Sequence, residues 1–135
     1  MTMKSLNINS ERLLADLHKL RSFGAEENGV VRPAFSSKDL DSRAWLRERF
    51  AEAGLTTQID GVGNVFGWSQ NKGKSLLLGS HSDTQPEGGW LDGALGVIYA
   101  LEVARALSEF EETKGLAVDI VSWSDEEGAF LTSLG

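Results

Sequence analysis

Cysteine is absent from the 135-residue chain. That excludes disulfides and thiolate metal sites, and leaves His, Asp and Glu as the side chains able to hold a metal. Basic residues are in short supply: 13 Lys and Arg stand against 20 Asp and Glu, a formal net charge of −7. A nucleic-acid partner is therefore not expected, because affinity for phosphates rests on Lys and Arg. Docking on an anionic membrane surface is disfavoured for the same reason. No apolar run is long enough to span a bilayer, and the opening Met1-Thr2-Met3-Lys4-Ser5-Leu6 has one Lys and no apolar stretch of signal-peptide length. The expectation is a soluble, cytoplasmic protein. What the chain does have is a hydrophobic content of 41%, too high for a disordered acidic tail. It also has an excess of glycine, most of it between Gly54 and Gly96.

The two helices expected first are amphipathic. Residues 10–23 place Leu13, Leu17 and Leu20 on one face, with Asn9 or Ser10 as cap and Gly24 as stop. Residues 25–36 read as a loop around Pro33. A second helix runs from about Ser37 to Ala53, capped by Ser36 or Ser37, with Leu40, Leu46, Phe50 and Ala53 inward and Gly54 at its end. Strands are expected at Thr56–Asp60, Asn64–Trp68 and Ser75–Ser80. The Leu76-Leu77-Leu78 run suits a strand buried on both faces. From Asp92 to about Phe110 the pattern is helical and apolar almost all round, and Leu116–Trp123 is a β-branched apolar run. Ser75–Ser80, this helix and Leu116–Trp123 form a strand–helix–strand unit with parallel strands. The expected class is α/β, a mostly parallel sheet flanked by helices.

Ligand sites of open parallel sheets lie at the carboxyl ends of the strands, and both strands of this unit end in polar clusters. After the first comes His81-Ser82-Asp83. Such a triplet suits an imidazole that binds a metal while the carboxylate takes the other ring N–H; a hydrogen-bonded structural pair is the bland alternative. Gly88-Gly89-Trp90-Leu91-Asp92-Gly93 follows. Asp92 suits either a helix N-cap or a carboxylate bridging two cations, and the glycines allow close backbone approach. After the second strand comes Asp125-Glu126-Glu127-Gly128. Adjacent carboxylates raise one another's pKa unless a cation neutralises them, so a metal explains the cluster better than a solvated turn does. His81 and Asp92 stand 11 residues apart and Glu127 follows 35 residues later, so all three are expected at one sheet edge. The glycines of Gly61-Val62-Gly63-Asn64-Val65-Phe66-Gly67 miss the dinucleotide-loop spacing and precede a strand.

Taken together, Gly79-Ser80-His81-Ser82-Asp83-Thr84, the Gly88–Val97 stretch and Asp125-Glu126-Glu127-Gly128 resemble the amidase/hydantoinase/carbamoylase family of dinuclear metal hydrolases. That family includes N-carbamoyl-L-amino-acid hydrolases, β-ureidopropionases and allantoate amidohydrolases. The short His81-to-Asp92 spacing favours this branch over the aminoacylases and dipeptidases of the same superfamily.

The resemblance implies a dinuclear-zinc exopeptidase-like catalytic domain, of which residues 1–135 form the amino-terminal part, with the lid and dimerisation domain absent. It implies His81 as a terminal ligand of one metal, Asp83 as its orienter, Asp92 as the bridge, Glu127 as a ligand of the second metal and Glu126 as general base. It implies two divalent ions (zinc, with manganese, cobalt or nickel as substitutes), a small ureido or N-carbamoyl substrate and, for full-length members, a homodimer. Each metal of the family takes a further His from later in the chain. His18, on a helix flank, is not expected to supply one. The expected function is amidohydrolysis by metal-activated water, with this chain alone inactive or weakly active. The alternative is a non-catalytic interaction module of the same fold.

Overall fold

The computed structural model describes residues 5–130. Helix α1, Ser10–Ser22, begins where the Asn9 side chain accepts a hydrogen bond from the Arg12 backbone N–H at 3.0 Å. It ends before Gly24, whose φ of +88° turns the chain away. Leu17 and Leu20 are its buried face. The segment expected as loop contains a short antiparallel ribbon, β1 (Ala25–Glu26) and β2 (Gly29–Val30). Two-residue strands carry too little periodicity to be read from sequence. Helix α2, Ser37–Glu52, starts on the Ser36 hydroxyl, which accepts from the Asp39 N–H. It buries Leu46 and Phe50 completely. Leu40, expected inward, is 52% exposed; the inward positions of that turn belong to Asp39 and Arg43.

Strands β3 (Thr56–Ile59), β4 (Val65–Trp68), β5 (Ser75–His81) and β6 (Ala117–Trp123) form one sheet in the order β3-β4-β6-β5. Helix α3, Ala94–Glu109, links β5 to β6. The β5–β6 pair is parallel, as the strand–helix–strand reading requires, while β3–β4 and β4–β6 are antiparallel. The sheet is therefore mixed rather than mostly parallel. The short turn between β3 and β4 can only close a hairpin, whereas parallel strands need a crossover. Helix α2 packs on β3 and β4, α3 packs on β5 and β6, and α1 lies against α3. The core between helices and sheet is built from Leu17, Leu20, Leu46, Phe50, Val65, Val97, Ile98, Leu101, Val118 and Ile120.

Strand β5 lies at the sheet edge, with Leu76 60% and Leu77 46% exposed. The expectation of burial on both faces fails there, because no described element covers that edge. Among the described residues no helix is long and apolar enough to cross a membrane.

The register of β5 on β6 decides the position of the site. His81 pairs with Trp123, so the carboxyl ends of both parallel strands reach the same rim. The start of α3 returns to that rim, bringing the segment before it.

Candidate metal centre

His81 closes β5 and is 6% exposed. Its ring is fixed from behind. Nδ1 lies 2.9 Å from the backbone carbonyl oxygen of Asp83, and the Asp83 carboxylate Oδ1 stands farther off, at 3.4 Å. From sequence, the ring N–H is expected to go to the Asp83 carboxylate. In the structure the carbonyl makes the hydrogen bond and the carboxylate supplies charge at longer range. Asp83 is 1% exposed, and its other oxygen accepts the Glu127 backbone N–H at 3.2 Å. Burial pushes the Asp83 carboxyl up, but the His81 ring and the Glu127 N–H outweigh it, and its pKa lies below the ordinary value.

Nε2 of His81 points outward to the rim. It lies 3.6 Å from Asp92 Oδ2 and 3.4 Å from Glu126 Oε2. One donor atom each from His81, Asp92 and Glu127 fall within 4.8 Å of one another. Asp92 is not a helix cap. Gly93 occupies that position, no side chain caps the helix, and the Asp92 carboxylate is 71% exposed on the rim. Gly93 has φ +66°, and a Cβ there would lie 2.5 Å from the His81 ring. Glycine is required so that the backbone bearing Asp92 can pass against the imidazole.

Charge at the rim is out of balance. Burial pulls the His81 pKa down, but Asp83 and Glu126 raise it to about 9. The Gln85 amide pulls Glu127 down, yet burial and the neighbouring Asp92 charge leave its pKa above the ordinary carboxylate value. One imidazole thus faces three carboxylates, those of Asp92, Glu126 and Glu127, in a place where a cation would be stabilised. Nε2 has no hydrogen bond closer than these carboxylates, and the donor set of one nitrogen and several carboxylate oxygens suits zinc or manganese. The residues present fit a divalent ion.

Sequence reasoning missed several supports. The Gln85 amide donates to Glu127 Oε2. Arg32 is completely buried, and burial lowers its pKa to about 10. Arg43 pairs with Asp39 and donates to the Gly63 carbonyl at 3.1 Å, and next to Gly63 the Asn64 side chain accepts the Ser124 N–H at 2.8 Å. Here Gly63 and Asn64, from the glycine run that misses the dinucleotide-loop spacing, brace the start of the acidic segment. His18 is not a ligand of this cluster. It stacks on Trp90 with ring centroids 5.4 Å apart, and Arg21 lies on the same indole at 4.9 Å. Trp90 stands two residues before Asp92. A signal for these contacts would have been the unusual apolar neighbourhood of Arg32 and the aromatic residue inside the glycine loop.

Residues 64–134 match peptidase family M28. The chain belongs to peptidase family M28. Among solved structures it is similar to an amidase of the hydantoinase/carbamoylase family from Burkholderia phymatum, with 60% identity and a TM-score of 0.92, covering 96% of this chain and 32% of that one. The N-carbamoyl-L-amino-acid amidohydrolase of Pseudomonas sp. (strain NS671) is 34% identical over 131 residues, 94% of this chain and 32% of the relative. The allantoate amidohydrolase of Bacillus subtilis (strain 168) is 33% identical over 114 residues, 82% of this chain and 28% of the relative. The resemblance drawn from the three motifs is borne out by these relatives. The chain spans about a third of their length.

Proposed function

We propose that this chain carries the strand-rim part of the metal centre of a cytoplasmic amidohydrolase acting on the carbamoyl or ureido C–N bond of N-carbamoyl amino acids or related compounds. The observation that carries the reading is the convergence of His81, Asp92 and Glu127 within 4.8 Å at the ends of two parallel strands. The likeness to N-carbamoyl-amino-acid and allantoate amidohydrolases supports the substrate class. His81 and Asp92 would hold one divalent ion, and Asp92 and Glu127 a second; zinc is the first choice, and manganese, cobalt or nickel would suit the same donors. Bound there, such ions supply Lewis acidity toward a water and a carbonyl oxygen.

The chain's own residues then do the rest. Asp83 fixes the imidazole through its carbonyl and keeps negative charge behind it. Glu126, exposed and 3.4 Å from His81 Nε2, takes a proton from the attacking water at its carboxylate. Substrate is a small ureido compound. The whole protein would complete each ion's ligand set and form a homodimer.

Two protein ligands for each ion fall below the three of ordinary catalytic zinc sites. The chain alone therefore binds ions weakly and turns over little substrate. Titration with zinc and manganese, combined with an assay of ammonia release from N-carbamoyl amino acids, tests this. Weak binding that disappears in Asp92→Ala supports the centre. Tight binding of two ions with strong turnover would overturn the ligand count. Binding that Asp92→Ala leaves untouched would remove the centre and favour a non-catalytic interaction module. The peptidase description of the matching family gives a second reading, peptide hydrolysis, so the assay includes a dipeptide.

A further inference from the structure

We propose that Arg32 is a positioning residue of this metal centre, holding His81 and Glu127 in place through the segment between Ser82 and Thr84. The inference rests on the metal-centre reading above and deepens it. Arg32 touches no candidate ligand. Its guanidinium is completely buried, where a charged side chain is retained only with close partners. Nη1 donates to the carbonyls of Leu20 at 2.8 Å and Phe23 at 2.6 Å, at the end of α1. Nε donates to the Ser82 carbonyl at 2.7 Å. The Arg32 backbone N–H donates to Thr84 Oγ1 at 2.9 Å, and the Thr84 N–H donates to the Arg32 carbonyl at 2.9 Å.

The residue between the two tied positions is Asp83. Its carbonyl lies 2.9 Å from His81 Nδ1 and its carboxylate accepts the Glu127 N–H. One arginine thus connects the end of α1 to a segment that contacts two of the three convergent residues. Lysine keeps the charge but cannot reproduce the planar fork that reaches Leu20, Phe23 and Ser82 together. Partners that orient ligand side chains from behind are worth about 10–100-fold in metal affinity.

The test uses the full chain with Arg32→Lys, Thr84→Val and, as a control for loss of packing far from the rim, Leu46→Val. Two readouts are taken. The first is the exchange rate of the His81 Nδ1 proton by NMR in the metal-free chain. The second is affinity for Zn2+ alone by competition with a chromophoric chelator.

Arg32→Lys is expected to keep its helical circular dichroism, to speed exchange of the His81 proton at least about tenfold through local opening, and to weaken zinc about 10–100-fold. Leu46→Val lowers the melting temperature and moves neither readout. If Arg32→Lys does not fold, Thr84→Val carries the test, since it removes the Arg32 N–H acceptor and keeps the guanidinium. A folded variant with the His81 exchange rate and zinc affinity within about twofold of the unaltered chain overturns the proposal, leaving Arg32 a stability element. If the unaltered chain binds no zinc while the variants still free the His81 proton, the metal reading fails and the positioning of the imidazole by Arg32 stands.

Discussion

Two groups of acids in this molecule are arranged in opposite ways. On the helical side, Glu102 of α3 is 1% exposed yet saturated: it accepts from the Asn9 N–H at 2.7 Å and from Arg12 Nε and Nη2, each at 2.9 Å, and Arg105 stands 3.8 Å away. Burial pushes the Glu102 carboxyl up, but Arg12, the Asn9 N–H and Arg105 bring it below its ordinary value. Asp16 is paired with Arg105 in the same network. At the strand rim, Asp92, Glu126 and Glu127 have no arginine or lysine within ion-pair reach among the described residues, and the one imidazole is shared among them. Glu102 and Asp16 are thus neutralised by arginines within the fold, while three other acids gather around one histidine and are available to a cation.

The largest expected effect breaks the helical network. Glu102→Ala leaves Arg12 and Arg105 without their shared acceptor and destabilises the chain by about 3 kcal/mol in urea unfolding, the cost of removing one partner of a buried pair. Zinc affinity stays as it was; a matching loss of affinity would mean that the two groups are coupled.

Asp92→Ala does the reverse. It is expected to weaken zinc by more than about 100-fold, beyond what an outer partner costs, and to leave the metal-free stability within about 0.5 kcal/mol because the side chain is exposed. A large stability loss with unchanged zinc affinity would make Asp92 structural.

The His81 charge gives a pH signature that sharpens the comparison. Its folded pKa of about 9 lies above the ordinary 6.5. Its contribution to stability is therefore fully present below pH 6.5 and is lost as pH rises through about 9. The metal-free chain, kept so with chelator, should show a melting temperature that declines across that window, and His81→Gln should flatten this part of the profile. An unchanged profile in His81→Gln would detach the imidazole from the acids around it. With zinc present the trend should oppose this, since a ligand imidazole must be neutral.

The smallest effect is expected at the outer end of the helical network. Glu109 accepts from Arg12 at 2.6 Å but is 56% exposed, so Glu109→Gln should cost about 0–1 kcal/mol. A loss as large as that of Glu102→Ala would show that exposure does not separate the two acids.

Much of the fold is legible along the chain because local rules govern it. The caps at Asn9 and Ser36, the stop at Gly24, the leucine spacing of α1 and the β5–α3–β6 unit all follow from hydrogen-bonding groups and apolar periods a few residues apart. The placement of the His81 and Glu127 clusters likewise follows from strand ends. Leu40, Leu76 and Leu77 are expected inward from spacing and residue type yet lie exposed, because which face is covered depends on elements distant in sequence. The antiparallel pairings of β4 depend in the same way on where β6 arrives.

The sequence by itself determined the helices, the strand–helix–strand unit and the set of chemistries open to the rim: no thiolate, two histidines and a run of acids. Tertiary structure alone decided that Arg32 is completely buried behind the rim, that a carbonyl rather than a carboxylate holds the His81 Nδ1, and that Asp92 leaves the helix cap to face the imidazole. The physical reason is range. Capping and periodicity act within a few residues, whereas burial and pairing of charge depend on contacts between segments some fifty residues apart, such as Arg32 with Ser82.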